Sequence, residues 1–145
     1  GDRREKALDL FFRTHAADAL VIDKWFALQA AIPEPETLAR VRQLMQHHAF
    51  TYTNPNRLRS VVGSFAANLT QFNRLDGAGY DLVAQVVADL DERNPQVAAR
   101  LLSAFRTWRI MEPNRRAKAE AALRRVASIS KLSPDVRDIV DRSLA

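Results

Sequence analysis

Three times in this chain a capping side chain stands directly before a proline: Asn54-Pro55, Asn94-Pro95 and Ser133-Pro134. Each pair marks a helix start. The Asn or Ser side chain accepts a hydrogen bond from an orphan N–H of the first turn, and proline at the first helical position has no N–H to lose. The starts lie 40 and 39 residues apart, the period of HEAT or armadillo arrays, in which helical hairpins stack into a curved layer. Apolar stripes at helical spacing fill the intervals: Leu58, Val61, Val62, Phe65 and Leu69, then Val97, Leu101, Phe105 and Trp108, then Val136, Ile139, Val140 and Leu144. No alternating run competes with them. The predicted fold is therefore all-α, with about eight helices stacked as antiparallel pairs in a HEAT/armadillo-like superhelical array. The helices are expected near residues 3–15, 17–31, 36–48, 55–69, 79–92, 95–110, 114–128 and 134–144. A single globular α-bundle is the alternative, because the stripes do not repeat in sequence.

Several classes of function are excluded by composition. With 145 residues the chain is long enough for one cored domain, and with no cysteine it has neither a disulfide nor a thiolate metal site. Its apolar runs, such as Ala27 to Ile32, fall short of the roughly 20 residues that span a bilayer. No secretory leader opens it, so no membrane span and a cytoplasmic location are expected. The charge is uneven. Residues 1–99 carry 11 bases and 12 acids, whereas residues 100–145 carry 11 and 5, and 18 of the 22 bases are Arg. Such a surplus suits phosphate or carboxylate recognition, a neighbouring acidic surface, or a solvated helix face.

Within helix two, Leu20, Val21, Ile22, Trp25, Phe26, Leu28 and Ile32 surround nearly the whole circumference, which predicts a central helix. Asp23 interrupts them and, if buried, needs a hydrogen-bonding partner such as an arginine. The richest turn stretch is Asn73 to Gly79, where Gly77-Ala78-Gly79 reads as the turn into helix five and not as a phosphate loop, since no strand precedes it.

The histidines do not form a metal-binding pattern. His47 and His48 are adjacent, so on a helix they project about 100° apart, whereas two ligands for one ion need i, i+4 spacing. They read as the polar end of helix three. Gln96 and Arg100 lie four apart on helix six, opposite its apolar stripe, and an amide beside a guanidinium suits a peptide carbonyl or carboxylate. Arg57 and Arg59 flank the apolar face of helix four, from where both are expected to reach a neighbouring surface.

The strings Val21-Ile-Asp-Lys-Trp-Phe-Ala-Leu-Gln-Ala30, Thr37-Leu-Ala-Arg-Val41, Asn54-Pro-Asn-Arg-Leu-Arg-Ser60, Gly63-Ser-Phe65, Asp76-Gly-Ala-Gly-Tyr80 and Asn94-Pro-Gln-Val-Ala-Ala-Arg100 resemble, in this order, the C-terminal helical domain of the bacterial aminopeptidase N family. These are gluzincin zinc metallo-aminopeptidases. The resemblance covers essentially the whole chain, and one departure, Ala66-Ala-Asn-Leu-Thr-Gln-Phe72, bears on the chamber wall. It implies that residues 1–145 are a C-terminal α-solenoid cap, with the catalytic domain upstream in the same polypeptide, as the opening Gly1 in place of methionine would fit. It also implies that the zinc, held by an H-E-x-x-H helix and a distal glutamate, belongs to that upstream part. No cofactor and no catalytic residue are expected in this chain, and the fragment alone is expected to be inactive. The cap would gate access for peptide substrates, with Gln96, Arg100 and Arg59 lining the chamber. The competing readings are a free-standing nucleic-acid-binding domain using Arg106, Arg109, Arg115, Arg116, Lys118, Arg124 and Arg125, and a protein scaffold. At 100° per residue Arg100, Arg106 and Arg109 scatter around helix six, which disfavours a nucleic-acid stripe.

Overall fold

A computed structural model of the protein describes residues 2–15 and 18–145. Among them there is no strand, and the helices are α1 (Asp2–His15), α2 (Ala19–Ala30), α3 (Thr37–Met45), α4 (Pro55–Leu58), α5 (Ser64–Ala67), α6 (Leu69–Phe72), α7 (Ala78–Leu90), α8 (Pro95–Leu102), α9 (Pro113–Ala127) and α10 (Pro134–Leu144). A π turn (Arg59–Gly63) joins α4 to α5, and a 3₁₀ helix (Ser103–Ile110) continues α8. Neighbouring helices stack as the repeat period predicts: α1, α3 and the α4–α5 rod pack on α2, α7 packs on α8 and α9, and α10 closes on α8 and α9. The expected start of helix two at residue 17 lies outside the described residues.

All three Pro-preceding side chains cap as read from the sequence. Asn54 accepts from the Arg57 N–H at 3.1 Å, Asn94 from Val97 at 3.2 Å and Ser133 from Val136 at 3.2 Å. A fourth start, Glu112-Pro113, uses a carboxylate that accepts from the Asn114 and Arg115 N–H groups at 2.8 Å each. The expected helix 55–69 instead breaks at Asn68, whose buried Nδ2 donates to the Ala30 and Ile32 carbonyls at 3.1 and 2.8 Å. The break lets one amide satisfy the end of α2.

The core runs the length of the array. Phe12, Trp25 and Phe26 pack at its beginning, and Phe72, Tyr80 and Phe105 meet edge-on or tilted at its centre. Asp23 finds the arginine it was expected to need: Arg57 Nε lies 2.6 Å from its Oδ1 while Arg57 Nη1 donates to the Ala49 carbonyl. Arg57 is thus a buried structural cation and does not reach outward, which corrects its expected role. The encirclement of helix two is also corrected. Leu20 and Leu28 are 72% and 67% exposed, whereas Ile22, Trp25 and Phe26 are buried, so one side of α2 stays open.

The two adjacent histidines also differ from expectation, since α3 ends at Met45 and the chain turns through them. Their rings stack at 4.3 Å, with His47 set edge-on against Phe12, Trp25 and Phe26. His47 Nδ1 accepts from the Ala49 N–H. Burial, then the nearby His48 and Arg57, hold the His47 imidazole below the ordinary histidine range against a smaller opposing pull from Asp9.

Glycine is needed at two neighbouring positions. Gly77 has φ of 76°, a left-handed conformation that side chains resist. A Cβ on Gly79 would lie 2.4 Å from the backbone carbonyl oxygens of Gln71 and Phe72, so α7 crosses the end of α6 backbone to backbone.

We expect Gly79→Ala to lose more than about 2 kcal/mol in denaturant unfolding, because the rigid carbonyls cannot move aside. Gly63→Ala, whose Cβ would meet nothing closer than Arg59 Cβ at 3.6 Å, should be neutral or gain up to about 1 kcal/mol. The depressed His47 pKa means that the unfolded chain binds the proton more tightly. Its stabilising contribution is therefore complete above about pH 6.5 and lost as pH falls through the folded-state value. Thermal unfolding followed from pH 7.5 to 5 should show a shallower acid-side loss for His47→Gln than for the unaltered protein, and parallel curves would refute the assignment.

Candidate functional site

Two stretches depart from regular α-helix, and they face each other. In the π turn the Ser64 N–H reaches back to the Arg59 carbonyl, five residues earlier, which widens the rod and turns Arg59 and Gly63 toward α8. In the 3₁₀ helix, residues three apart eclipse one another. Phe105 and Trp108 then point together into the core, while Ser103 with Arg106, and Ala104 with Thr107, form the outer rows.

Between these walls runs a groove of about 700 Å³. Its floor is small and apolar, built from Gly63, Ala66, Ala67, Val97, Leu101 and Ala104, and Leu69 stands at its side 67% exposed. Arg59, Arg100 and Arg106 line it together with Ser64, Ser103 and Thr107, and no carboxylate does. None of the three arginines belongs to an ion pair among the described residues. Arg59 donates to the Asn56 side chain and Arg106 to the Ser103 carbonyl, bonds that leave most of each guanidinium free.

Of the three site residues expected from the sequence, Arg59 and Arg100 therefore share the groove. Gln96 does not reach it. It lines a shallower depression of about 370 Å³ against α10, beside Asp135 and Asp138, in which Arg100 also takes part. Arg100 is the common member of both. Sequence reasoning missed Arg106 as a groove residue because it assumed one α-helix over 95–110. There Arg106 would sit roughly 120° from Arg100, whereas 3₁₀ winding from Ser103 onward brings it within about 60°. The groove also draws on Ala66, Ala67 and Leu69, part of the stretch that departs from the family pattern.

A second cleft, of about 550 Å³ between α1 and α3, holds the Arg4–Glu34 and Arg40–Glu5 pairs together with Glu36, so both of its arginines are matched by carboxylates. Most other cations of the basic last third also have partners within the fold. Arg124 pairs with Glu120, Arg125 with Asp81 and Arg142 with Asp138, while Arg109, Arg115, Lys118 and Arg137 donate to backbone carbonyls. Among the described residues no three His, Cys, Asp or Glu side chains are grouped so as to hold a metal ion, and no helix is long and apolar enough to cross a membrane.

Comparison with known proteins identifies the array. The family model described as "Domain of unknown function (DUF3458_C) ARM repeats" matches residues 1–145. Aminopeptidase N of Escherichia coli is 41% identical over 129 residues, covering 88% of this chain and 15% of that protein. Aminopeptidase N of Caulobacter vibrioides is 40% identical over 145 residues, covering 99% of this chain and 17% of that protein. The crystal structure of Legionella pneumophila aminopeptidase A in complex with aspartic acid superimposes with a TM-score of 0.92 at 34% identity, over 99% of this chain and 17% of that one. The chain thus spans about one-sixth of the length of the relatives it matches. Its capped helical pairs and its matched length agree, and the chain belongs to this ARM-repeat domain family of aminopeptidase N.

Proposed function

We propose that this chain is the C-terminal cap of a longer zinc aminopeptidase that removes N-terminal residues from peptides in the cytoplasm. In this reading residues 1–145 form one domain, which gates access to the catalytic site and lines the substrate chamber. One observation carries it: three arginines that have no ion-pair partner among the described residues surround an apolar groove in a domain whose named relatives are aminopeptidases N. A guanidinium gives planar, bidentate hydrogen bonds to carbonyl or carboxylate oxygens. An apolar floor takes up side chains without selecting strongly among them. Together they hold a peptide beyond the bond to be cut. The walls of such a cap also keep folded proteins away from the site and limit the water around the substrate.

The residues present do not fit the zinc of such an enzyme. His47 and His48 stack on each other, and the Nδ1 of His47 is occupied by a backbone N–H. The ion and the residues that hold it belong, in this reading, to the preceding part of the polypeptide. Ser64, Ser103 and Thr107 in the groove have no histidine beside them to act as a base, so the domain's own contribution is binding. Its partners are the catalytic domain of the same polypeptide and peptide substrates. The basic surplus gives little support to a nucleic-acid face, since so many of its members are used inside the fold.

In the full-length enzyme, Arg100→Ala should raise KM for peptides of four or more residues by about tenfold, the loss of one charge-assisted hydrogen bond. The effect on a minimal aminoacyl-anilide, which is too short to reach the groove, should be smaller. Steady-state kinetics on both substrates decides the matter, and equal effects would count against chamber lining.

A further inference from the structure

The cleft between α1 and α3 contains a buried acceptor that nothing in the fold supplies with a donor. Gln29 of α2 is 2% exposed and lines this cleft. Its Nε2 donates to the Trp25 carbonyl one turn earlier, at 3.1 Å, which fixes the amide. No donor among the described residues reaches its Oε1, yet every fully sealed side-chain N or O among them has a partner. The Oε1 is therefore the atom that Gln29 turns to the cleft, and an amide oxygen so far withdrawn from water gains most from a hydrogen-bond donor. Charge narrows the kind of donor. Arg4 is paired with Glu34 and Arg40 with Glu5, whereas Glu36 has no ion-pair partner among the described residues. Glu36 stands at the start of α3 but makes no capping bond to it. Three carboxylates thus face two guanidinium groups, an excess of one negative charge. A dication needs more free oxygens than this, and a polycation would meet the two arginines, so a single positive charge is matched. Leu8, Ile32 and Ala39 add apolar surface to the same cleft, which suits a stem of methylene groups carrying a charged head. The volume of about 550 Å³ falls in the range that encloses a small organic group.

We propose that this cleft binds one primary alkylammonium group, with its N–H donors shared between Gln29 Oε1 and the Glu36 carboxylate and its stem on Leu8, Ile32 and Ala39. An ammonium has three rotatable donors and so serves an amide oxygen and a carboxylate at once. A free alkylamine and a lysine side chain have this chemistry in common. The site is separate from the arginine-lined groove, and its failure would leave the cap reading untouched.

The test is titration calorimetry on the full-length enzyme with two probes, n-butylamine and Nα-acetyl-lysine amide, whose blocked α-amine leaves only the side-chain ammonium. Both should bind. Tetramethylammonium, which keeps the charge but has no N–H, and Nα-acetyl-norleucine amide, which keeps the stem but has no charge, should each bind at least about tenfold more weakly. Tighter binding of the lysine probe than of butylamine supports a polypeptide lysine as the occupant, and equal binding supports a free amine. Glu36→Gln changes an exposed side chain that makes no capping bond, and it should raise Kd for both probes by about tenfold. Gln29→Met, of similar volume but without the acceptor, should do the same. Glu92→Gln removes an exposed charge outside the cleft and should leave Kd unchanged. The site is refuted if neither probe binds, if tetramethylammonium binds as tightly as butylamine, or if Glu36→Gln leaves both affinities as they were.

Discussion

A helix end buried between stacked pairs leaves its last carbonyls without intrahelical partners, and this requirement shapes most of the molecule. Chains often meet it with a glycine just past the helix, but there are only four glycines here. Side chains from elsewhere in the array do the work instead. Asn68 donates to the carbonyls of Ala30, the last residue of α2, and of Ile32 just beyond it, Arg57 to Ala49, Arg115 to Asn73, and Arg137 to Ala127 and Ile129. Trp108 and Arg109 close the end of α10 through Ser143 and Ala145. Cations at helix C-termini are also favoured by the helix dipole. Arg57, Arg109, Arg115 and Arg137 thereby tie the end of one helix to a neighbouring element.

Helix starts are reinforced across the array as well. Asp91, nearly buried at the end of α7, accepts from both the N–H and the hydroxyl of Ser133, at 2.7 and 2.6 Å. The same Ser133 hydroxyl caps α10. A residue that signals a helix start in the sequence is in this way also a fixed point for the pair before it.

What the sequence revealed and what it concealed follow one physical division. Caps, proline positions and apolar stripes are local, so the starts at Pro55, Pro95 and Pro134 and the all-α architecture were legible. The need of Asp23 for an arginine was legible too, but not which one, because Arg57 lies 34 positions away. The break at Asn68 answers carbonyls nearly 40 residues earlier, and no window around Asn68 contains that information. The π turn and the 3₁₀ helix keep their apolar residues in α-like spacing, so periodicity reads straight through them. Arg59 and Arg100 were singled out by their places on helices four and six and then by resemblance. That they share a groove, that Gln96 stands outside it, and that Arg106 completes it depend on those two irregular windings.

The 3₁₀ helix has a geometric effect beyond the rows of side chains it presents. Its rise is about 2.0 Å per residue against 1.5 Å in an α-helix, so eight residues extend about 4 Å farther. That displacement is handed on to Glu112 and to all of α9 behind it. The stagger of the final helical layers, and with it the local curvature of the solenoid, is set by the same eight residues that form one bank of the groove.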